Sequence, residues 1–267
     1  MPWWSKGVWI ALLVCGYPLL TYRLFGAWWV AMTGTLLIVG LARLAWPADW
    51  RQRTGLCIPQ RSALVVPIVY LGCAALAFGL ISRAAASHDV AFSPVWELEG
   101  FGFAIAHSAA QTLNEEIVLG ALLLSGVTVW WRRPRPILVS VSVAAVFALF
   151  HLAFYGLRPE GAVNMGLLGA PALAALFGIG VLRNNLILGS RHLGHAWAIH
   201  FGWNTIFLNS AYVLGGQSRN EPQMFNLVLG HWMTVAVILT GAAVTTFVLR
   251  RVLLERPGAK LQPQVRP

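Results

Sequence analysis

Charge is what this chain has least of. Asp, Glu, Lys and Arg make up 10% of its 267 residues, and 58% are hydrophobic; a soluble domain carries about 25% charged residues. That balance excludes an ordinary soluble globular fold and indicates a membrane protein. Long polar stretches are missing as well. The loops at 47–61 and 82–99 and the tail after Arg251 are each too short to bury a core of their own. Cysteine is scarce: Cys15, Cys57 and Cys73 are odd in number and lack metal-ligand spacing, which excludes a disulfide framework and a cysteine metal site. Cys15 and Cys73 fall within apolar segments, where cysteine behaves as a small hydrophobe. No small-x-small cleavage site precedes Tyr22 and Arg23, so the first apolar run is expected to be a retained span rather than a signal peptide.

What is present is a series of apolar runs. A span needs about 20 mostly apolar residues. About eight runs qualify, near 7–22, 25–44, 64–81, 101–127, 137–155, 163–182, 193–214 and 225–249. The expected fold is an all-α, polytopic transmembrane helix bundle. Trp3, Trp4, Trp46, Trp50, Trp96, Trp130 and Trp131 fall at span edges, as an interfacial aromatic belt does. The basic residues are divided unequally. Lys6, Arg43, Arg51, Arg53, Arg61, Arg132, Arg133, Arg135, Arg183, Arg191, Arg250, Arg251, Arg256, Lys260 and Arg266 fall on one side, which is fifteen of the nineteen Lys and Arg. Arg23, Arg83, Arg158 and Arg219 fall on the other. The positive-inside rule then places both termini in the cytoplasm, and a bacterial inner (cell) membrane is the expected location. Basic cytoplasmic loops facing anionic lipids account for the net charge of +10. No nucleic-acid-binding motif is present, and nucleic acid is not an expected partner. Three regions follow: N-terminal helices at 1–96, a core at 97–214 that holds the polar motifs, and a last helix with a basic tail at 215–267.

Acids are rarer still inside the spans. Asp49, Asp89, Glu97, Glu99, Glu160, Glu221 and Glu255 fall in loops or the tail, which leaves Glu115 and Glu116 within the fourth span. His107, Gln111 and Glu115 are spaced i, i+4, i+8 and form one stripe on a helix. Lipid cannot satisfy that stripe, so it must face the bundle interior or a water-filled cavity. Interhelical polar bonding is a sufficient explanation for His107 and Gln111 taken singly, and less so for adjacent carboxylates. The fifth span carries His151 one turn after Phe147, and the seventh carries His200 one turn before Asn204. A lone buried histidine is most often a satisfied core residue, and Asn204 alone reads as a packing residue. His192 and His195 lie nearer the cytoplasmic edge and read as interfacial. Counted from the cytoplasmic span ends at ~1.5 Å per residue, Glu115 lies ~18 Å deep, His151 ~21 Å and His200 ~10 Å. Three helices thus direct one carboxylate and two imidazoles toward mid-bilayer.

Several hydrolytic chemistries are missing their residues. A zinc enzyme of the H-E-x-x-H type needs a His-Glu dipeptide, and none occurs. Ser125-Gly126 follows two leucines, a poor setting for a serine nucleophile. An aspartyl enzyme needs two membrane-embedded aspartates, and Asp49 and Asp89 are in loops. A glutamate that activates water remains. Adjacent carboxylates cannot both be comfortably ionised at low dielectric, and this is the kind of tuning a general base requires.

The order E-E, then F-x-x-x-H, then H-x-x-x-N on successive core helices resembles the CAAX protease and bacteriocin-processing family. These are glutamate-type intramembrane endopeptidases related to the type II CAAX prenyl endopeptidase. The matching residues are Glu115-Glu116, Phe147 to His151, and His200 to Asn204, within about 97–214. The resemblance implies that Glu115 is the general base, assisted by His151. It implies that His200 and Asn204 donate to the oxyanion, a role for which one donor is typically worth about 3–4 kcal/mol. Glu116 supports the site and Phe147 forms its wall, with Gln111 and His107 behind. The implied partner is a peptide or protein substrate at the membrane, and no cofactor or metal is expected. The family pattern has Arg five residues after the first glutamate, where this chain has Gly120. Glu116 is then protonated, bonded to Thr112 or Gln111, or paired with an Arg from another segment. If it is unpaired, Glu116→Gln should stabilise the protein, and an arginine at position 120 should be tolerated. Two other function classes use the same residues: a proton-coupled transporter, and a non-catalytic scaffold or immunity protein that keeps the fold.

Overall fold

The computed structural model describes residues 59–88, 98–130, 135–156, 168–213 and 226–255, together with positions 36, 39, 40, 43, 51, 55 and 56. The described residues are all-helical, without strands. In chain order the helices are α1 (Gln60–Ala86), α2 (Leu98–Glu115), a π-helical segment (Glu116–Leu122), α3 (Leu123–Trp130), α4 (Pro136–Gly156), α5 (Ala170–Ser190), α6 (Gly194–Val213) and α7 (Trp232–Glu255). Three of them are long and apolar enough to cross a membrane: Arg61–Ala86 of α1, Ala170–Ser190 of α5 and Trp232–Leu254 of α7. Exposed Leu64, Ile68 and Leu71 on α1 and Val244, Phe247 and Val248 on α7 present apolar faces outward, as lipid contact requires.

Two of the expected runs cannot be compared with this arrangement, and two others differ from it in detail. The runs at 7–22 and 25–44 lie outside the described residues, apart from single positions in the second. The run at 101–127 is an unbroken helix from Leu98 to Trp130 that changes pitch at Glu116. The run at 163–182 is displaced toward the C-terminus as α5. That helix starts at Ala170, after Gly169 in extended geometry and with a proline in its first turn, because proline fits where the N–H has no helical partner. It ends with Arg191 in the left-handed conformation, φ 61°. Arg183 therefore belongs to the helix interior and not to a cytoplasmic loop.

Helix α5 is central, packed between α4 and α7, and it also meets α6. α6 in turn packs on α1 and α2. Small residues set two crossings in which backbone meets backbone. A Cβ at Gly202 would lie 2.6 Å from the Tyr70 carbonyl oxygen, and one at Gly180 would lie 2.9 Å from the Ala144 Cα. Such close approach is how helices associate where lipid removes most of the hydrophobic drive. Polar side chains tie the same helices together. Ser140 donates to Asn185 Oδ1 at 2.7 Å, Asn185 donates to Thr246 Oγ1 at 2.8 Å, and Asn184 donates to the Ser140 carbonyl at 2.9 Å. The buried core of Val118, Leu119, Leu122, Phe147 and Leu176 lies next to the polar cluster described below.

Candidate active site

Glu115 is the last residue of α2 and Glu116 the first of the π-helical segment. Both are buried. An α-helix turns about 100° per residue, so neighbours point apart. Here the ring of His200 lies across the edge between them and meets both: Nδ1 is 3.0 Å from Glu116 Oε1 and Nε2 is 3.8 Å from Glu115 Oε2. The first is a hydrogen bond. The second is an ion-pair distance, too long for one.

Arg183 reaches the same carboxylate from α5. Its Nη1 donates to Glu116 Oε1 at 3.3 Å, and its guanidinium lies 3.9 Å above the centre of the Phe147 ring. Of the possibilities open for Glu116, this is the arginine from another segment. Thr112 instead donates to the carbonyl of Ser108, and Gln111 donates to Glu115 Oε1 at 3.3 Å. The expectation that Glu116→Gln relieves an unpaired acid is thereby overturned, because Glu116 is the partner of a buried cation. The expected tolerance of arginine at 120 fails on space. A Cβ on Gly120 would lie 2.8 Å from Glu116 Oε2 and 3.1 Å from Ile187 Cδ1.

A cavity of about 370 Å³ brings these groups together. Gln111, Glu115, Glu116, Phe147, His151, Arg183, His200 and Asn204 line it, and most of the remaining wall is aliphatic. His151 Nδ1 is 2.9 Å from the Phe147 carbonyl, which only a protonated nitrogen can satisfy. Its Nε2 is thus the nitrogen able to accept a proton. The Phe147 ring stands edge-on to both His151 and His200, with centroids 4.5 and 6.5 Å away. Glu115 Oε2 and Glu116 Oε2 are buried and find no hydrogen-bond partner among the described residues. His107 is in α2; its side chain lies outside the described residues. No cluster of three His, Cys, Asp or Glu that could hold a metal occurs among the described residues.

Sequence reasoning missed Arg183. The run ending at Leu182 made it look like a boundary charge. The signal was available: beyond Asn184 and Asn185 the apolar residues Leu186, Ile187 and Leu188 resume, and two carboxylates in the bilayer need a cation. The depth count also misled, giving His200 about half the depth of Glu115. The contact between their side chains brings them together, because the helix ends from which depth is counted do not share one plane. His192, read as interfacial, is buried between α5 and α6 and accepts a hydrogen bond from the Gly194 N–H on Nδ1 at 3.2 Å. Burial, and then the neighbouring His195 ring, hold its pKa below the ordinary imidazole value.

Comparison of the chain with protein-family models, with curated proteins and with solved structures finds no match.

Proposed function

We propose that the chain is an intramembrane endopeptidase of the glutamate type, the activity implied by its resemblance to the CAAX protease and bacteriocin-processing family. Its substrate is a peptide bond in a membrane-associated, leader-bearing or C-terminal-signal-bearing protein. One observation carries the reading: two carboxylates, two imidazoles and a guanidinium converge on a single, largely apolar cavity. In this mechanism Glu115 takes a proton from water, and the oxygen attacks the carbonyl carbon. His151, through Nε2, shares the proton handling. His200 and Asn204 face the oxygen that gains charge. The proton taken by Glu115 passes to the departing amine as the C–N bond breaks, so the balance closes without a further reactant.

The membrane arrangement that goes with it has eight spans and both termini in the cytoplasm of a bacterium, with anionic lipid against the basic face. An open groove of about 440 Å³ supports this last element. Arg135 and Arg250 line it together with apolar Leu138, Val141, Leu253 and Leu254. Guanidinium groups beside an aliphatic floor suit a phosphate and its acyl chain.

The test compares cells that carry the wild type with cells that carry Glu115→Gln at matched membrane abundance. Protein N-termini are labelled and identified by mass spectrometry. N-termini of membrane-associated proteins should appear with the wild type and fall at least about a hundredfold in the variant, the usual contribution of a general base. Identical sets overturn the reading. Proton flux in proteoliposomes without cleavage would replace it with a carrier.

A further inference from the structure

We infer that Arg183 is a positioning residue that acts through Glu116 to fix which nitrogen of His200 carries the proton. Two contacts meet at one oxygen. Glu116 Oε1 lies 3.3 Å from Arg183 Nη1 and 3.0 Å from His200 Nδ1. The three side chains are almost fully enclosed, so bulk water screens them little. Arginine stays protonated in proteins and can only donate. A permanent cation beside Glu116 keeps that carboxyl ionised, and an ionised carboxylate can only accept. The nitrogen of His200 that faces it must therefore be N–H. Nε2 is left to face Glu115 and the cavity, free to take or return a proton.

Without the guanidinium, two carboxylates from adjacent residues would share one low-dielectric pocket. Like charges in that position cannot both stay ionised. Glu116 would take up the proton, become a donor toward Nδ1, and drive His200 to the opposite tautomer, with Nε2–H toward Glu115. Arg183 thus sets the polarity of the Glu116–His200 pair, and Gly120 makes room for it. Glu116 is held by two partners and cannot swing away, so the 2.8 Å approach of a Cβ at 120 to its second oxygen has no easy relief. The tautomer itself is independent of the peptidase reading. Only the catalytic consequence, an Nε2 of His200 that takes up the proton Glu115 has removed from water, donates to the oxyanion and returns the proton for the departing amine, rests on that reading.

The experiment is nitrogen-15 NMR of the full chain, labelled at histidine, in lipid above neutral pH. The seven histidines are resolved by subtraction with His200→Gln. In the wild type, His200 should show its proton on Nδ1. Arg183→Lys keeps the charge and should keep that signature. Arg183→Gln should move the proton to Nε2. A folded Arg183→Gln protein with the proton still on Nδ1 overturns the inference, and so does a wild type whose Nδ1 carries the lone pair. Should Arg183→Gln fail to fold, Arg183→Gln/Glu116→Gln buries no unpaired charge and takes its place. There the tautomer should become mixed, and a His200 that remains wholly Nδ1-protonated again overturns it. A purely structural Arg183 would lower the melting temperature and leave these signals unmoved. Because cleavage is not the readout, a negative result here leaves the peptidase test standing, and the reverse holds as well.

Discussion

Exchange of Glu116 for its neutral isostere has a cost that follows from one distance. The guanidinium of Arg183, 3.3 Å away and buried, loses its only anionic partner within salt-bridge range among the described residues. Breaking a buried pair from one side costs about 3–5 kcal/mol, because the remaining charge stays desolvated. Glu116→Gln should therefore lower stability by about that amount, measured by reversible unfolding in detergent micelles. Arg183→Met should cost less, because the carboxyl of Glu116 can take up a proton once its cation is gone. The double variant should lose clearly less than the two losses added together, which is the signature of a coupled pair. Additive losses would mean that the two groups do not hold each other. At this scale the sequence was partly legible. The glutamates, His151 and His200 stood out because few polar residues interrupt their helices. Arg183 did not, because a charge at the edge of an apolar run looks the same whether the helix stops or continues. Only Pro171 and the apolar residues Leu186 to Leu188, beyond Asn184 and Asn185, decide between those cases.

Among whole elements, the segment Glu116–Leu122 was invisible in advance. A π-helix shifts each hydrogen bond by one residue, and after Glu116 the stretch "IVLGAL" is apolar throughout, so no periodicity records the shift. Glycines mark the helix crossings, which the sequence reading did not single out. Gly202 should be the least replaceable of them. The atom a new Cβ would meet is backbone, the Tyr70 carbonyl at 2.6 Å, and α1 would have to withdraw from α6. Gly180 meets Ala144 backbone at 2.9 Å in the same way. Alanine at either position should cost about 1–3 kcal/mol, the usual range for overpacking. Gly189 is the internal control. Its nearest contact would be Leu249 Cδ1 at 3.9 Å, ordinary packing distance. Gly189→Ala should be neutral, or stabilising by up to about 1 kcal/mol from helix propensity. Melting temperatures of the three variants in one detergent give the comparison. Equal losses at all three positions would show that close approach is not what holds α1 and α4 in place.

For the molecule as a whole, the sequence made the helical class clear, since low charge and long apolar runs leave few other folds open. It did not locate the helix ends, because an apolar residue just inside the interface looks like one just outside it. Orientation rests on the basic residues. With Arg183 moved into α5, fourteen of the nineteen Lys and Arg still fall on the expected cytoplasmic side and four on the other. A second observation does not depend on that count. Arg135, at the start of α4, and Arg250, near the end of α7, line one groove, so the segment before α4 and the segment after α7 emerge on the same face. Among the described residues between 214 and the C-terminus lies one helix long and apolar enough to cross. Cysteine-accessibility or reporter tags placed after residue 133 and after Pro267 should therefore report the same compartment, and a tag after residue 214 the opposite one. The first pair should be cytoplasmic, as the positive-inside rule requires. A tag at 214 that agrees with the C-terminus would mean that α7 does not cross, and would remove the membrane frame from the cavity that it helps to line.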